Sequence, residues 1–222
     1  MKRLLVLLLL IFQGCSFKSP QNKWQYESTA AFTNYVKNYL QGNNTIAKND
    51  LKRAISNATK SADLTQLATI YLGECAVHIS VGEKDTCKSY DTIAPLIKNQ
   101  YLNAYNRFIN KKFTDPFIKQ LENEKQTFAT LVSQQKIQSI NSFIINSFNK
   151  PQSAYLYAAL ARNFINLQTI DQLIDLASYN GDKKVAIFWL KYKLTKLDNH
   201  KERLRIQQII QILESHTNPN LF

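Results

Sequence analysis

From residue 24 onward, apolar side chains return at three- and four-residue intervals. That is the period of a helix face rather than the two-residue alternation of a strand. Phe32, Tyr35, Val36, Tyr39 and Leu40 make the first face, and Gly42 is placed to close it. Asn44 or Thr45 caps a second, built on Ile46, Leu51, Ala54, Ile55, Ala58 and Ala62. Asp63 opens the strongest pattern of the chain, Leu64, Leu67, Ala68, Tyr71, Leu72, Cys75, Ala76 and Ile79, which stops near Gly82. Pro95 forbids a long helix through 88–99 and predicts a short helix or two broken turns. Tyr101, Leu102, Tyr105, Phe108 and Ile109 restore the period. Thr114-Asp115-Pro116 predicts a helix start with Pro in the first turn. From there Phe117, Leu121, Phe128, Leu131 and Val132 run on, with a break near Ser133, to Ile137, Ile140, Phe143, Ile144 and Phe148, and Lys150-Pro151 ends the stretch.

The last third predicts shorter, similar helices. Ser153 precedes Tyr155 to Leu167, Thr169 caps Ile170 to Tyr179, and Asp182 caps Lys183 to Leu197. Asn199 starts the final one, with Ile206, Ile209, Ile210 and Leu213 as its face. Short polar connections set neighbouring helices antiparallel, so the expected fold is all-α, a set of stacked hairpins. Composition agrees: five glycines and five prolines in 222 residues are too few for the tight turns of a barrel, a sandwich or a dinucleotide-binding sheet.

The first fifteen residues follow a different pattern. Lys2 and Arg3 precede an unbroken apolar run, Leu4 to Phe12, then Gln13, Gly14 and Cys15. Nine apolar residues make a helix of about 14 Å, short of the roughly 30 Å hydrocarbon core, so the run reads as a targeting segment. Phe12-Gln13-Gly14-Cys15 resembles the lipobox of bacterial lipoproteins. That resemblance implies a diacylglyceryl group on the Cys15 sulfur, cleavage before it, and acylation of the exposed amine by a fatty acid such as palmitate. The alternative is an ordinary signal peptide cut elsewhere. The expected organisation is a signal peptide at 1–14, lipidated Cys15 with a polar tether to residue 23, and one helical domain over 24–217. Ser16 lacks the Asp that retains many such lipoproteins at the inner membrane, so the resemblance places the protein at the outer membrane, facing the periplasm.

The formal charge of +12 falls by two, to +10, once Lys2 and Arg3 leave with the signal. Of 28 basic residues only six are arginine, the side chain phosphate and base recognition favours. An exported, lysine-rich chain points to a solvated surface or to anionic lipid or envelope polymer, and no nucleic-acid partner is expected. Cys75 and Cys87 form an even pair in an oxidising compartment, a disulfide candidate whose alternative is two separate thiols. Their spacing and the scattered His78, His200 and His216 suggest no metal site.

Leu176-Ala177, Gly181-Asp182, Ala186 and Trp189 resemble the small-residue spacing of tetratricopeptide and Sel1-like helix pairs, and Ala54, Ala58, Ala62, Leu67, Ala68, Tyr71 and Ala76 are similar in character. Small residues at helix crossings let backbones approach, and an aromatic ring fills the gap above. The likeness covers 50–80 and 154–215 but not 83–150, and no 34- or 36-residue period runs through the chain. It implies a protein-binding adaptor or assembly factor.

Catalytic motifs are absent: no nucleophile elbow, P-loop, dinucleotide fingerprint or H-E-x-x-H occurs. Glu27-Ser28 and Glu214-Ser215 match the Glu-Ser dipeptide of lytic transglycosylases without the Gly-rich segment that follows it there. Glu74 and His78, four apart, read as an acid–base couple or a boundary salt bridge. Between Lys125 and Ile170 there is no Asp or Glu, while Lys125, Lys136, Lys150 and Arg162 alternate with aromatic residues. Lys136, Phe143, Lys150, Tyr155 and Arg162 are therefore the candidate partner-binding residues, on a groove for an extended peptide or polymer. The expected function is a lipid-anchored, non-enzymatic scaffold that binds another envelope protein, without cofactor or small-molecule substrate. The alternatives are an enzyme or accessory factor acting on peptidoglycan, and a lipid carrier with an internal cavity. Cys15→Ala is expected to move the protein from the membrane to the soluble fraction; mass spectrometry of the mature N-terminus checks the modification directly.

Overall fold

The computed structural model describes residues 22–215, so the signal segment, Cys15, most of the tether and residues 216–217 lie outside the described residues. Eleven α-helices and three short 3-10 turns make up the described chain, with no strand. In order the helices are α1 (Lys23–Gln41), α2 (Asn44–Ala58), α3 (Thr65–Ser80), α4 (Lys88–Ile93), α5 (Gln100–Ile109), α6 (Asn123–Ser133), α7 (Ile137–Asn146), α8 (Pro151–Leu160), α9 (Leu167–Asn180), α10 (Lys183–Leu194) and α11 (His200–Ser215). None is long and apolar enough to cross a membrane.

Glycine ends three of these helices. Gly42, Gly82 and Gly181 take left-handed φ of 85°, 78° and 71°, and the amide that follows each reaches back to a carbonyl of the last turn. Lys111 and Gln135 make the same reversal after α5 and α6 at φ 62° and 52°, without glycine's freedom. Several boundaries differ from the sequence expectation, among them the ends of α2, at Ala58 rather than Ala62, and of α10, at Leu194 rather than Leu197. The run from Phe117 divides into a 3-10 turn, Pro116–Gln120, and α6, because Leu121 goes extended and inserts into the core. Tyr155 to Leu167 divides likewise after α8. Asn166, not Thr169, caps α9, accepting from Thr169 N at 2.8 Å.

The α1–α2 hairpin is close-packed through small residues, Ser28 and Ala31 against Ala54 and Ala58. Ser28 Oγ donates to the Ala54 carbonyl at 2.9 Å. The hydrophobic pattern put Ile46 on the α2 face, but the buried positions are Ala47, Asp50, Ala54 and Ala58. Asp50 is accommodated by Asn38, at 2.8 Å, and Arg53.

Hairpin contacts between consecutive helices recur at α6–α7, α9–α10 and α10–α11. The centre is organised differently. Helix α3 packs on α1, α2 and α5 and, most extensively, on α8, far away in sequence. In α8 every residue from Ala154 to Leu160 is buried. Phe108, Phe128, Phe143 and Tyr157 fill the space beneath, with the Phe128 and Tyr157 ring centroids 4.7 Å apart. Helix α10 turns back onto α1, and its Trp189 is fully buried. A linear stack, in which each unit meets only its neighbours, has no counterpart to the α3–α8 and α1–α10 contacts, and no repeat array is established.

Cys75 on α3 and Cys87, the residue before α4, are bonded to each other, with Cα atoms 5.2 Å apart. Cys87 is left-handed at φ 56°, held by the bond and by its own N–H, which donates to Asp85 Oδ1 at 2.7 Å. The bond closes a short loop. Replacing both cysteines by alanine is expected to lower stability by about 2–4 kcal/mol, read from urea unfolding; reductant should lower the native protein similarly and leave the variant unaffected.

Candidate functional site

A groove of about 620 Å³ lies between α1, α3 and α8 and is bordered also by Asn180 and Asp182, just before α10. A second compartment of about 300 Å³ continues from it toward α5. Phe32, Gly73, Tyr105, Ser153 and Leu156 border both. Gly73 explains the passage. A methyl group built there would meet Phe32 Cζ at 2.4 Å, so only glycine lets the ring lie against α3. A lone glycine inside the chain's most regular helical pattern was the signal available in the sequence.

The groove combines an apolar floor with polar lining groups. Val36, Leu40, Ala76, Val77 and Leu156 supply the floor. Asp182, Asn180 and Ser80 add polar lining to the larger compartment, Lys125 to the smaller, and Ser153 borders both. The Tyr105 hydroxyl forms no hydrogen bond to the described protein, and burial pushes its phenol up. Lys125 lies 5.9 Å from that ring and 2.5 Å from Glu122. A cleft of this size and lining suits an extended ligand of several residues or a small amphipathic molecule.

A second polar group fastens α1 to the end of α3. Tyr35 Oη lies 3.1 Å from His78 Nε2, His78 Nδ1 lies 2.6 Å from Asp85 Oδ2, and Asp85 also holds Cys87 N. Beside it, Tyr39 Oη donates to Glu83 at 2.6 Å, and Lys184 Nζ stands 3.3 Å from the Tyr39 ring centroid. Burial first, then the charges of Glu74, Glu83 and Asp85, push the Tyr35 phenol up, so it serves as a neutral hydrogen-bonding group and not as a base or nucleophile. His78 thus pairs with Asp85 rather than Glu74. Glu74 has no hydrogen-bond partner and does not line the groove; burial pushes its carboxyl up, against the nearby His78.

The five residues assigned to partner binding line no common face. Lys136 borders a separate cleft beside α6, Lys150 bonds Glu124 at 2.8 Å, and Arg162 lines a cleft near Gly82. Phe143 is half-buried among rings. Tyr155 is the one of the five that lines the groove; it is otherwise fully buried, with its hydroxyl on Asp182 at 2.9 Å. Two of the run's four cations are paired by acids just outside it, Lys125 by Glu122 and Lys150 by Glu124. Glu27 pairs with Lys23 and Glu214 with Lys191 on different helices. Cys75, Asp85 and Cys87 place ligand-type atoms within 4.8 Å of one another. The two sulfurs bind each other, however, and the Asp85 oxygens are taken by Cys87 and His78. That cluster is assigned no metal.

No family model, curated protein or solved structure matches the chain.

The pH behaviour of Glu74 follows from its environment. Its carboxyl binds a proton more tightly folded than unfolded, so stability falls as pH rises from the ordinary carboxylate range through the raised folded value. Glu74→Gln should therefore melt a few degrees higher than the native protein at pH 7 and at the same temperature at pH 3. Equal shifts at both pH values in calorimetry would contradict this account.

Proposed function

We propose that the mature protein is a lipid-anchored scaffold of the bacterial envelope, tethered through Cys15, that holds an extended segment of another envelope protein in the groove between α1, α3, α5 and α8. The observation that carries this reading is the groove: two joined compartments, an apolar floor and polar lining groups, set among rigid helices rather than loops. The lipobox-like segment supports the anchor. The small-residue crossings of the α9–α10 hairpin support the likeness to tetratricopeptide and Sel1-like helix pairs, since Ala177, Ala186 and Trp189 all pack in the core. The acid-free stretch supplies the α8 wall of this groove through Ser153, Tyr155 and Leu156, whereas Lys136, Phe143, Lys150 and Arg162 lie off it, and no reaction is assigned to the chain.

Ser153 borders both compartments and makes no hydrogen bond, so Ser153→Trp fills the groove at little cost to the fold. In cells cross-linked before detergent extraction, the native protein should retain a defined set of envelope proteins, and Ser153→Trp should lose it while keeping its helical circular dichroism and its melting temperature within a few degrees. An unchanged set would remove the groove from the function. Release of muropeptides from purified sacculi would move the reading to an enzyme acting on peptidoglycan.

A further inference from the structure

Asp182 stands out in the larger compartment of the groove. It directly follows the left-handed Gly181 and opens α10, where an aspartate side chain ordinarily turns back to accept a first-turn N–H. It makes no such bond. Only 6% of the residue is exposed, and Oδ2 accepts a hydrogen bond from Tyr155 Oη at 2.9 Å. Asn180 Nδ2 steadies that hydroxyl from 3.4 Å. Oδ1 accepts nothing, and the residue borders the groove.

A buried charge is ordinarily paired. The chain carries 28 lysines and arginines against 16 acids, yet none of the ion pairs among the described residues includes Asp182. Burial pushes its carboxyl up, with only the Tyr155 hydroxyl acting the other way. The α10 N-terminus offsets part of the cost, as a helix dipole does for any first-turn acid. It leaves the net charge unmatched, on the lining of the groove.

We infer that this compartment of the groove receives a primary ammonium group of the partner peptide, with Asp182 Oδ1 as its counter-charge and the adjoining apolar floor taking the flanking residues. The inference rests on the scaffold reading and names what the groove selects. The occupant's chemistry follows from the donor set. One free carboxylate oxygen cannot meet a guanidinium as a two-toothed fork, which favours a compact ammonium over arginine. An ammonium has two further protons to place. The same compartment is bordered by Ser153, whose side chain makes no hydrogen bond, and by Ser80, which donates to Ala76 O at 2.7 Å and keeps its lone pairs, so acceptor oxygens are part of its lining. A single carboxylate is too few ligands for a hard metal cation. A lysine side chain and a chain-terminal amine supply the same group.

Calorimetric titration of the full mature protein in detergent micelles, with synthetic pentapeptides, tests this. The first probe has a central lysine between leucine pairs and is blocked at both ends. In the second, norleucine replaces the lysine; in the third, acetyl-lysine does. The fourth is the norleucine peptide with a free amine terminus. The lysine peptide should bind at least about tenfold more tightly than its norleucine and acetyl-lysine counterparts, a difference of about 1.4 kcal/mol, and Asp182→Asn should erase that margin. A margin shown by the fourth peptide alone assigns the ammonium to a chain terminus. Should Asp182→Asn not fold, the acetyl-lysine peptide makes the same charge deletion from the ligand side, and Ser153→Trp should abolish binding with the carboxylate intact. Equal affinity of all four peptides, a margin that survives Asp182→Asn, or no binding of any peptide overturns the inference. If Asp182→Asn still captures the cellular partners that Ser153→Trp loses, the scaffold reading stands and the ammonium assignment falls.

Discussion

Helix α3 gives little of its surface to water, with Thr69 alone exposed. Leu67, Ala68, Ile70, Leu72, Cys75, Ala76 and Val77 are all buried, on more than one helical face, and the rest of the molecule is arranged to cover them. A helix so uniformly apolar is stable only when surrounded. Helix α8 takes one side, the α1–α2 hairpin another and α5 a third. Because α8 is itself buried throughout, the two helices share one continuous core with the aromatic cluster beneath. The groove is the place where this covering is incomplete. With no side chain on Gly73, Phe32 can lie against α3 without sealing it, and the opening passes on either side of the ring.

Much of this was legible in the chain. The three- and four-residue apolar period located α1, α3, α5, α10 and α11, and Gly42 and Gly82 marked ends that the structure places there. The ends at Ile109 and Ser133 carry no glycine, and their reversals at the exposed Lys111 and Gln135 are closed by Lys112 N on Arg107 O and Lys136 N on Leu131 O. At Leu121 packing overrides local preference: its apolar character suited a helix face, yet it reaches the core from extended backbone. The candidate site was less visible for a related reason. An acid-free, aromatic-rich stretch looks like a binding face when read along the sequence. In three dimensions Tyr155 and Phe143 face inward, and Glu122 and Glu124 pair two of its cations. Asp182 read as a simple helix cap, because sequence position cannot show that its side chain turns toward Tyr155 instead.

Polar groups divide between two tasks in this fold. At the end of α3, the Tyr35–His78–Asp85 line and the Tyr39–Glu83 bond tie α1 to the loop that the Cys75–Cys87 bond closes. Most hydrogen-bonding capacity in that group is matched within the protein, which marks it as architecture. Around the groove the matching is incomplete: the Tyr105 hydroxyl, Ser153 and one oxygen of Asp182 are left over. This contrast is what separates the candidate site from the structural networks.

Helix α11 differs from the other helices in how little holds it. It packs chiefly on α10, buries only Ile206 and Ile210, and belongs to a small cluster separate from the main core. Arg203, which donates to the carbonyls of Leu194 and Leu197, the exposed pair Lys191–Glu214 and the half-buried pair Lys193–Glu202 add modestly to that grip. The chain therefore contains two tiers of cooperativity. Backbone amides of α11 can exchange with solvent through local opening, at a free-energy cost well below that of global unfolding, while those of α3 and α8 wait for the whole domain to open.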